Sequence, residues 1–322
     1  MKYELVIENN QNGKAYDATS LIKSVEYETS ISGKPGKLSF ELIKDESICY
    51  FEGNPVRFYV DDKPIFYGYI FSKSRDSNQI IKTTAYDQLR YLKNKDSFAL
   101  FNKTATEVVR AVAAVFNLRV GNLSDTKHVI PQMIMDNKTG LDTICMALDR
   151  TLIATGDMYV FYDDFGKLNL KHINELRTKL VIGDKSLATD YKYKSSIDEN
   201  VTNQVKIMRK NKDTGKREIY IVKDSTNIAK WGILQEFDKA KNGENKAQIQ
   251  QRAENMLKLR NKVYRELSIP CLGDFRVRAG TGVYVYLPDI GDISYDQYFI
   301  VESVKHKISK EEHTMDIDLI MV

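Results

Sequence analysis

VRFYV at residues 56–60 and PIFYGYIF at residues 64–71 repeat on a two-residue period, the signature of strands with one face turned to a core. The same period opens the chain, where Tyr3, Leu5 and Ile7 alternate with Lys2, Glu4 and Glu8. Residues 1 to about 83 therefore read as a small all-β unit. Within it, Leu21–Ser32 and Lys37–Ile43 flank Gly33-Lys34-Pro35-Gly36, a turn in which glycine permits positive φ and proline fixes one torsion, so a long hairpin is expected there. The composition agrees: 19 Tyr and 13 Phe against 1 Trp and 6 Pro favour strands over loops.

The period then changes. In TAYDQLRYLKN (residues 84–94), Tyr86, Leu89 and Leu92 are spaced three apart, which predicts a short helix closing the first unit. TATEVVRAVAAVF begins with a Thr104/Glu107 capping box and carries Val108, Val112, Val115 and Phe116 along one face. A further helix is expected from Thr139 to Thr155, with Leu141, Ile144, Leu148 and Leu152 stacked and Gly156 ending it. MYVFY, a turn at Asp163-Asp164-Phe165-Gly166 and KLNLKHI then predict a hairpin. Residues 95–179 thus form a middle α/β unit.

β pattern resumes near Leu180. NQVKIMRK (203–210) and KREIYIVK (216–223) flank Asn211-Lys212-Asp213-Thr214-Gly215, a second long hairpin. A polar helix is expected within about 240–263, where Ile249, Ala253, Met256 and Leu257 share one stripe. The closing strands end in HTMDIDLIMV, with Met315, Ile317, Leu319 and Met321 on one face. The expected class is α+β and β-rich, divided as 1–94, 95–179 and 180–322 with a helical insertion in the last. The two hairpin-bearing β units suggest a diverged duplication.

Composition excludes several classes. At 322 residues, length predicts about two domains. A net charge of +4, 42% hydrophobic and 29% charged residues are ordinary globular values that exclude disorder. No apolar run reaches the ~18 residues of a spanning helix, and MKYELVIENN lacks the apolar stretch of a signal peptide. Cys49, Cys145 and Cys271 are too far apart for a knuckle or a dense disulfide framework and are expected to be buried thiols.

Catalytic patterns are missing. His128, His172, His306 and His313 fall in no metal motif, and the nearest pair, seven apart, faces across a turn. Cys145, beside Ile144 and Leu148, reads as core and not as a nucleophile. Asp164-Phe165-Gly166 spells a kinase tripeptide without its companion motifs and is a turn. Gly280-Thr281-Gly282 precedes strand residues where a phosphate loop needs a helix. Asp163-Asp164 and Glu311-Glu312 read as solvated turn acids. Neither a catalytic residue nor a cofactor or metal is expected. Lys206, Arg209, Lys210, Lys212, Lys216 and Arg217 face one Asp213, a solvated tip or a tip against an acidic partner; contact with nucleic acid phosphates is the alternative.

AYDQLRYLKNK (85–95), TATEVVRAVA, YVFYDDFGKLNLKHI (159–173), IDENVTNQVKI (197–207), DSTNIAKWGILQEF (224–237), GDFRVRAGTGVYVYLP, QYFIVESVKHKIS and HTMDIDL, in this order, resemble the baseplate hub proteins of contractile phage tails and phage-like bacteriocins, the PBSX-type XkdQ/YqbQ family. That family is similar to the myovirus baseplate hub and to the N-terminal part of type VI secretion VgrG spikes. The resemblance implies two tube-like β-barrels per chain, at 1–94 and 180–322, and a homotrimer offering a pseudo-sixfold ring to a hexameric tail tube and threefold symmetry to a spike. It implies tail tube, spike and baseplate wedge proteins as partners, no membrane or sequence-specific nucleic acid, and a life in the bacterial cytoplasm before incorporation into a virion or tail-like particle. The tips Gly33–Gly36 and Asn211–Gly215 are the candidate contacts to a neighbouring subunit or tube ring. A tail-associated peptidoglycan hydrolase or esterase, and a nucleic-acid-binding module, are the competing readings.

Overall fold

Alternation in the opening segment resolves into seven strands: β1 (Tyr3–Asn9), β2 (Lys14–Asp17), β3 (Ile22–Ser30), β4 (Lys37–Ile43), β5 (Pro55–Val60), β6 (Lys63–Arg75) and β7 (Ile80–Tyr86). Their inward residues, among them Leu5, Ile7, Phe40, Phe58 and Ile70, form one core. Each contributes roughly 1.5–3 kcal/mol on burial. The expected hairpin is present, with Tyr27 opposite Leu38 and Glu28 opposite Lys37.

The short helix expected after β7 is present: Gln88–Lys93 is a 3-10 helix capped by Asp87, whose side chain accepts from the Leu89 N–H. The three-residue spacing of Tyr86, Leu89 and Leu92 suits three residues per turn better than 3.6.

The middle segment holds β8 (Lys95–Thr104), α1 (Ala105–Val115), β9 (Val120–Leu123), β10 (Val129–Thr139), α2 (Gly140–Thr155), β11 (Tyr159–Asp163) and β12 (Leu168–His172). The Thr104/Glu107 box caps α1 as expected, and Gly156, at φ +81°, follows α2. β8 pairs antiparallel with β10, and β11 with β12. Val108, Val112, Ile144, Met133, Leu168 and Leu170 share a core.

Further along come β13 (Arg177–Gly183), β14 (Lys192–Ser196), β15 (Gln204–Lys210), β16 (Arg217–Lys223), α3 (Ser225–Trp231), β17 (Gln235–Lys239) and α4 (Lys246–Arg260). The chain closes with β18 (Tyr264–Leu272), β19 (Gly282–Ile290), β20 (Ile293–Ile308) and β21 (His313–Ile320). The structure, a computed structural model, describes residues 2–31, 33–183, 186–210, 216–240, 244–290, 293–309 and 312–320.

Two units divide the chain. The first comprises Met1–Leu148, Met158–Lys192 and Leu267–Val322, the second Asp149–Asp157 and Tyr193–Glu266. In the first, the hydrogen-bonded path runs β18-β21-β20-β3-β4-β7-β6-β5-β1-β2, with β19 on β20 and β13 on β19. Opening and closing segments therefore share one sheet: β3 and β20 are antiparallel, with Tyr27 opposite His306 and Thr29 opposite Val304. The Ala279 N–H donates to Thr29 Oγ1 at 2.9 Å across 250 residues. Among the described residues these pairings trace an open path.

The second unit is a three-stranded sheet, β16-β15-β17, whose Val205 and Ile207 pack with Ile249, Ala253 and Met256 of α4. The predicted helical insertion and the β15–β16 hairpin are both present. The first hairpin thus lies inside the long sheet and the second in this separate one.

Candidate functional site

Gly33 and Gly36 sit where their lack of a side chain matters. Gly33 adopts φ +67°, and a Cβ there would lie 3.3 Å from Cys145 Sγ on α2; a Cβ at Gly36 would lie 2.5 Å from Asp87 Oδ2. The Gly36 N–H donates to Asp87 Oδ2 at 2.8 Å, and the Asp87 N–H returns a bond to the Gly36 carbonyl at 3.0 Å. The turn predicted as a projecting tip is thus clamped to its own unit at Gly36, which is buried, while Lys34 is exposed and Pro35 half-buried. Asn211, Lys212, Asp213, Thr214 and Gly215 lie outside the described residues.

Asp87 belongs to a buried ionic centre. Asp163, expected as a solvated turn acid, is only 7% exposed. Its Oδ1 accepts from the Gly166 N–H at 2.8 Å and its Oδ2 from Gln88 Nε2 at 3.2 Å. The reason is the turn itself: Phe165 and Gly166 both take positive φ, which folds the Gly166 N–H back onto the carboxylate. Arg278 covers the pair, its Nη2 donating to the Asp163 carbonyl at 3.0 Å and its guanidinium lying 3.9 Å over the Tyr162 ring. Burial pushes the Asp87 carboxyl well above its usual range, reinforced by the Asp163 charge and opposed by the Gly36 N–H. Burial also raises Asp163, to about 6, against the Gly166 and Gln88 hydrogen bonds.

Two facing carboxyls that resist ionisation invite a catalytic reading. Space decides against it: the void they line is about 10 Å³, room for roughly one water. Their oxygens are also engaged by the turns they hold. The pair is a structural clamp.

The larger cleft nearby, about 560 Å³, is lined by Lys34, Pro35, Arg90 and Lys93 together with the β3–β20–β21 surface. Its charges are largely matched within the sheet. Lys305 pairs with Glu26 at 2.8 Å and Glu28 at 3.3 Å, and Asp318 accepts from Ser268 and Ser303 at 2.6 Å each. Ser303 is the lining hydroxyl held by Asp318, and the residues that line the cleft include no histidine or cysteine.

The histidines expected to face each other across a turn do so: His306 Nδ1 and His313 Nε2 are 3.1 Å apart. The second nitrogen of His306 meets the Val277 carbonyl at 2.9 Å, as its donor. Phe275 stacks on both rings, at 4.8 and 4.3 Å. Burial lowers His306 to about 4 and lowers His313 in the same direction. Among the described residues no group of three or more His, Cys, Asp or Glu is arranged to hold a metal. Of the cysteines, Cys271 is buried and Cys145 half-buried, but Cys49 is exposed, correcting the expectation of three buried thiols. Among the described residues no helix is long and apolar enough to cross a membrane.

Sequence reasoning missed Asp87 and Arg278. Asp87 had a signal, an Asp directly before the Gln-Leu-Arg turn. Arg278 had none, because its partners lie more than 100 residues away.

Kinship with known proteins is the more specific observation. Residues 25–320 match the family model described as YQBQ-like. The chain belongs to the YQBQ-like family. It is 32% identical over 272 residues to the phage-like element PBSX protein XkdQ of Bacillus subtilis, covering 84% of this chain and 82% of that one. Its fold is that of the 43 kDa tail protein of prophage MuSo2 from Shewanella oneidensis, with TM-score 0.73, 12% identity and 98% of both chains covered. It is also similar to the c3393 protein of E. coli, described as a type VI secretion component resembling the T4 tail proteins gp27 and gp5. There the TM-score is 0.56 and the identity 10%, over 100% of this chain and 77% of that one.

Proposed function

We propose that this chain is the baseplate hub component of a contractile tail, joining a hexameric tail tube to a trimeric spike as a pseudo-sixfold homotrimer. The observation that carries this is the end-to-end likeness to a prophage tail protein, with nearly all of both chains covered. Likeness to a type VI component described as resembling gp27 and gp5 adds support. In this reading residues 1–94 and 180–322 contribute tube-like barrels to a six-membered ring. Residues 95–179 pack outside it and meet wedge or spike proteins. The chain performs no reaction; it assembles in the bacterial cytoplasm and ends in the virion or tail-like particle.

Asn211–Gly215 remains the candidate contact to a neighbouring subunit or tube ring. Gly33–Gly36 is engaged with Asp87, so trimming it would disturb the fold as well as any contact. Replacing 211–215 by a two-residue turn, in cells making the particle, tests the reading. The expected result is folded protein with sheathless or tubeless tails; normal tails would remove these residues from the assembly surface.

A further inference from the structure

The sheet β16-β15-β17 has two unlike faces. Its acids Glu236 and Asp238 lie on the side of α4, where Arg260 pairs with Glu236 at 2.5 Å and Arg252 with Asp238. The register places Ile221, Lys206 and Phe237 in one row across the other face, and Ile219, Met208 and Lys239 in the next. Arg217 and Lys210 follow at one end, and Lys223 with Gln204 and Gln235 at the other. This face holds five cations and no acid. The five side chains make no ion pair among the described residues.

Apolar side chains lie open on the outer two strands, Ile219 54% exposed, Ile221 50% and Phe237 53%, on either side of Lys206 and Met208 of the middle strand. From Arg217 to Lys223 the strand spans ~20 Å, at about 3.4 Å per residue. Across three strands about 4.8 Å apart, cationic and apolar side chains are thus interleaved on one face.

We propose that this face docks an acidic protein surface, one presenting Asp and Glu interleaved with exposed apolar side chains. Charge complementarity selects the partner's sign, since nothing on the face would repel an acid and five groups would attract one. The aliphatic side chains select protein over nucleic acid: Ile219, Ile221 and Met208 have no counterpart in a phosphate backbone, and Phe237 is the face's single aromatic ring for stacking. The inference stands on this unit alone and goes beyond the hub reading.

The test uses the full chain and a labelled synthetic peptide alternating Glu with Ile and Phe. Controls are its Lys-for-Glu analogue, polyglutamate, a random oligonucleotide and phosphatidylglycerol vesicles. The acidic peptide should bind at least about tenfold tighter than every control, with affinity falling as salt rises. The double variant Lys206→Glu/Lys223→Glu should lose that binding, and Ile219→Ser/Phe237→Ser should lose it separately. Equal binding of polyglutamate, tighter binding of oligonucleotide or vesicles, or unchanged binding by Lys206→Glu/Lys223→Glu would each overturn the proposal. So would self-association of the chain that these substitutions abolish, which would make a second copy the occupant.

Discussion

Asp163 and His306 pull stability in opposite directions with pH. Asp163 titrates near 6 when folded, above the ordinary 3.8, so between these values the folded chain holds more protons than the unfolded one and stability falls as pH rises. His306 titrates near 4 when folded, below 6.5, so there the unfolded chain holds more and stability falls as pH drops. Asp163→Asn removes the first effect only. Chemical denaturation should show the variant gaining on the wild type as pH rises from about 4 to 6, by up to about 2–3 kcal/mol at neutral pH, since one unit is worth ~1.4 kcal/mol. A constant offset at every pH would mean that its carboxyl is not held near 6. Gly36→Ala should cost about 1–3 kcal/mol by denaturant midpoint, because its methyl would displace the Asp87 carboxylate from the N–H it accepts. Gly36 was visible in the sequence as a turn residue. Its partnership with Asp87, 51 residues away, was not, because turn chemistry is local and burial is not.

Elements with a local cause were the most legible. The Thr104 side chain and Glu107 exchange their capping bonds, with the Thr104 N–H donating to Glu107 Oε2 at 2.9 Å. Thr104→Ala should lower stability by about 1 kcal/mol, measurable as a shift in denaturation midpoint; a value near zero would mean that packing alone sets the start of α1. The Glu107 carboxyl sits below its ordinary value through the Thr104 N–H, with Lys103 as its next partner. The short helix expected after β7 is present as the 3-10 helix Gln88–Lys93, in keeping with the three-residue spacing of Tyr86, Leu89 and Leu92, and Asp87 caps it. The β15–β16 strands were legible in the alternation of NQVKIMRK and KREIYIVK. The one-signed charge of their outer face was only partly so, because β17 and its Phe237 and Lys239 join by a parallel pairing that alternation does not encode.

At the scale of the whole molecule, the β-rich class followed from composition and period, but the meeting of β3 with β20 did not. Strand pairing over such separations depends on closing a long loop around a shared core, here one in which Ile308 packs among Leu5, Phe40 and Phe58. The sequence reading had assigned those segments to separate cylinders, a division that remains part of the hub proposal. Electron cryo-microscopy of tails purified from cells that make the particle addresses it most directly. Three copies of this chain are expected in a ring of sixfold appearance between the last tube hexamer and the spike. Tails that contain no copy of it, or that carry it in any number other than three at that junction, would contradict the account.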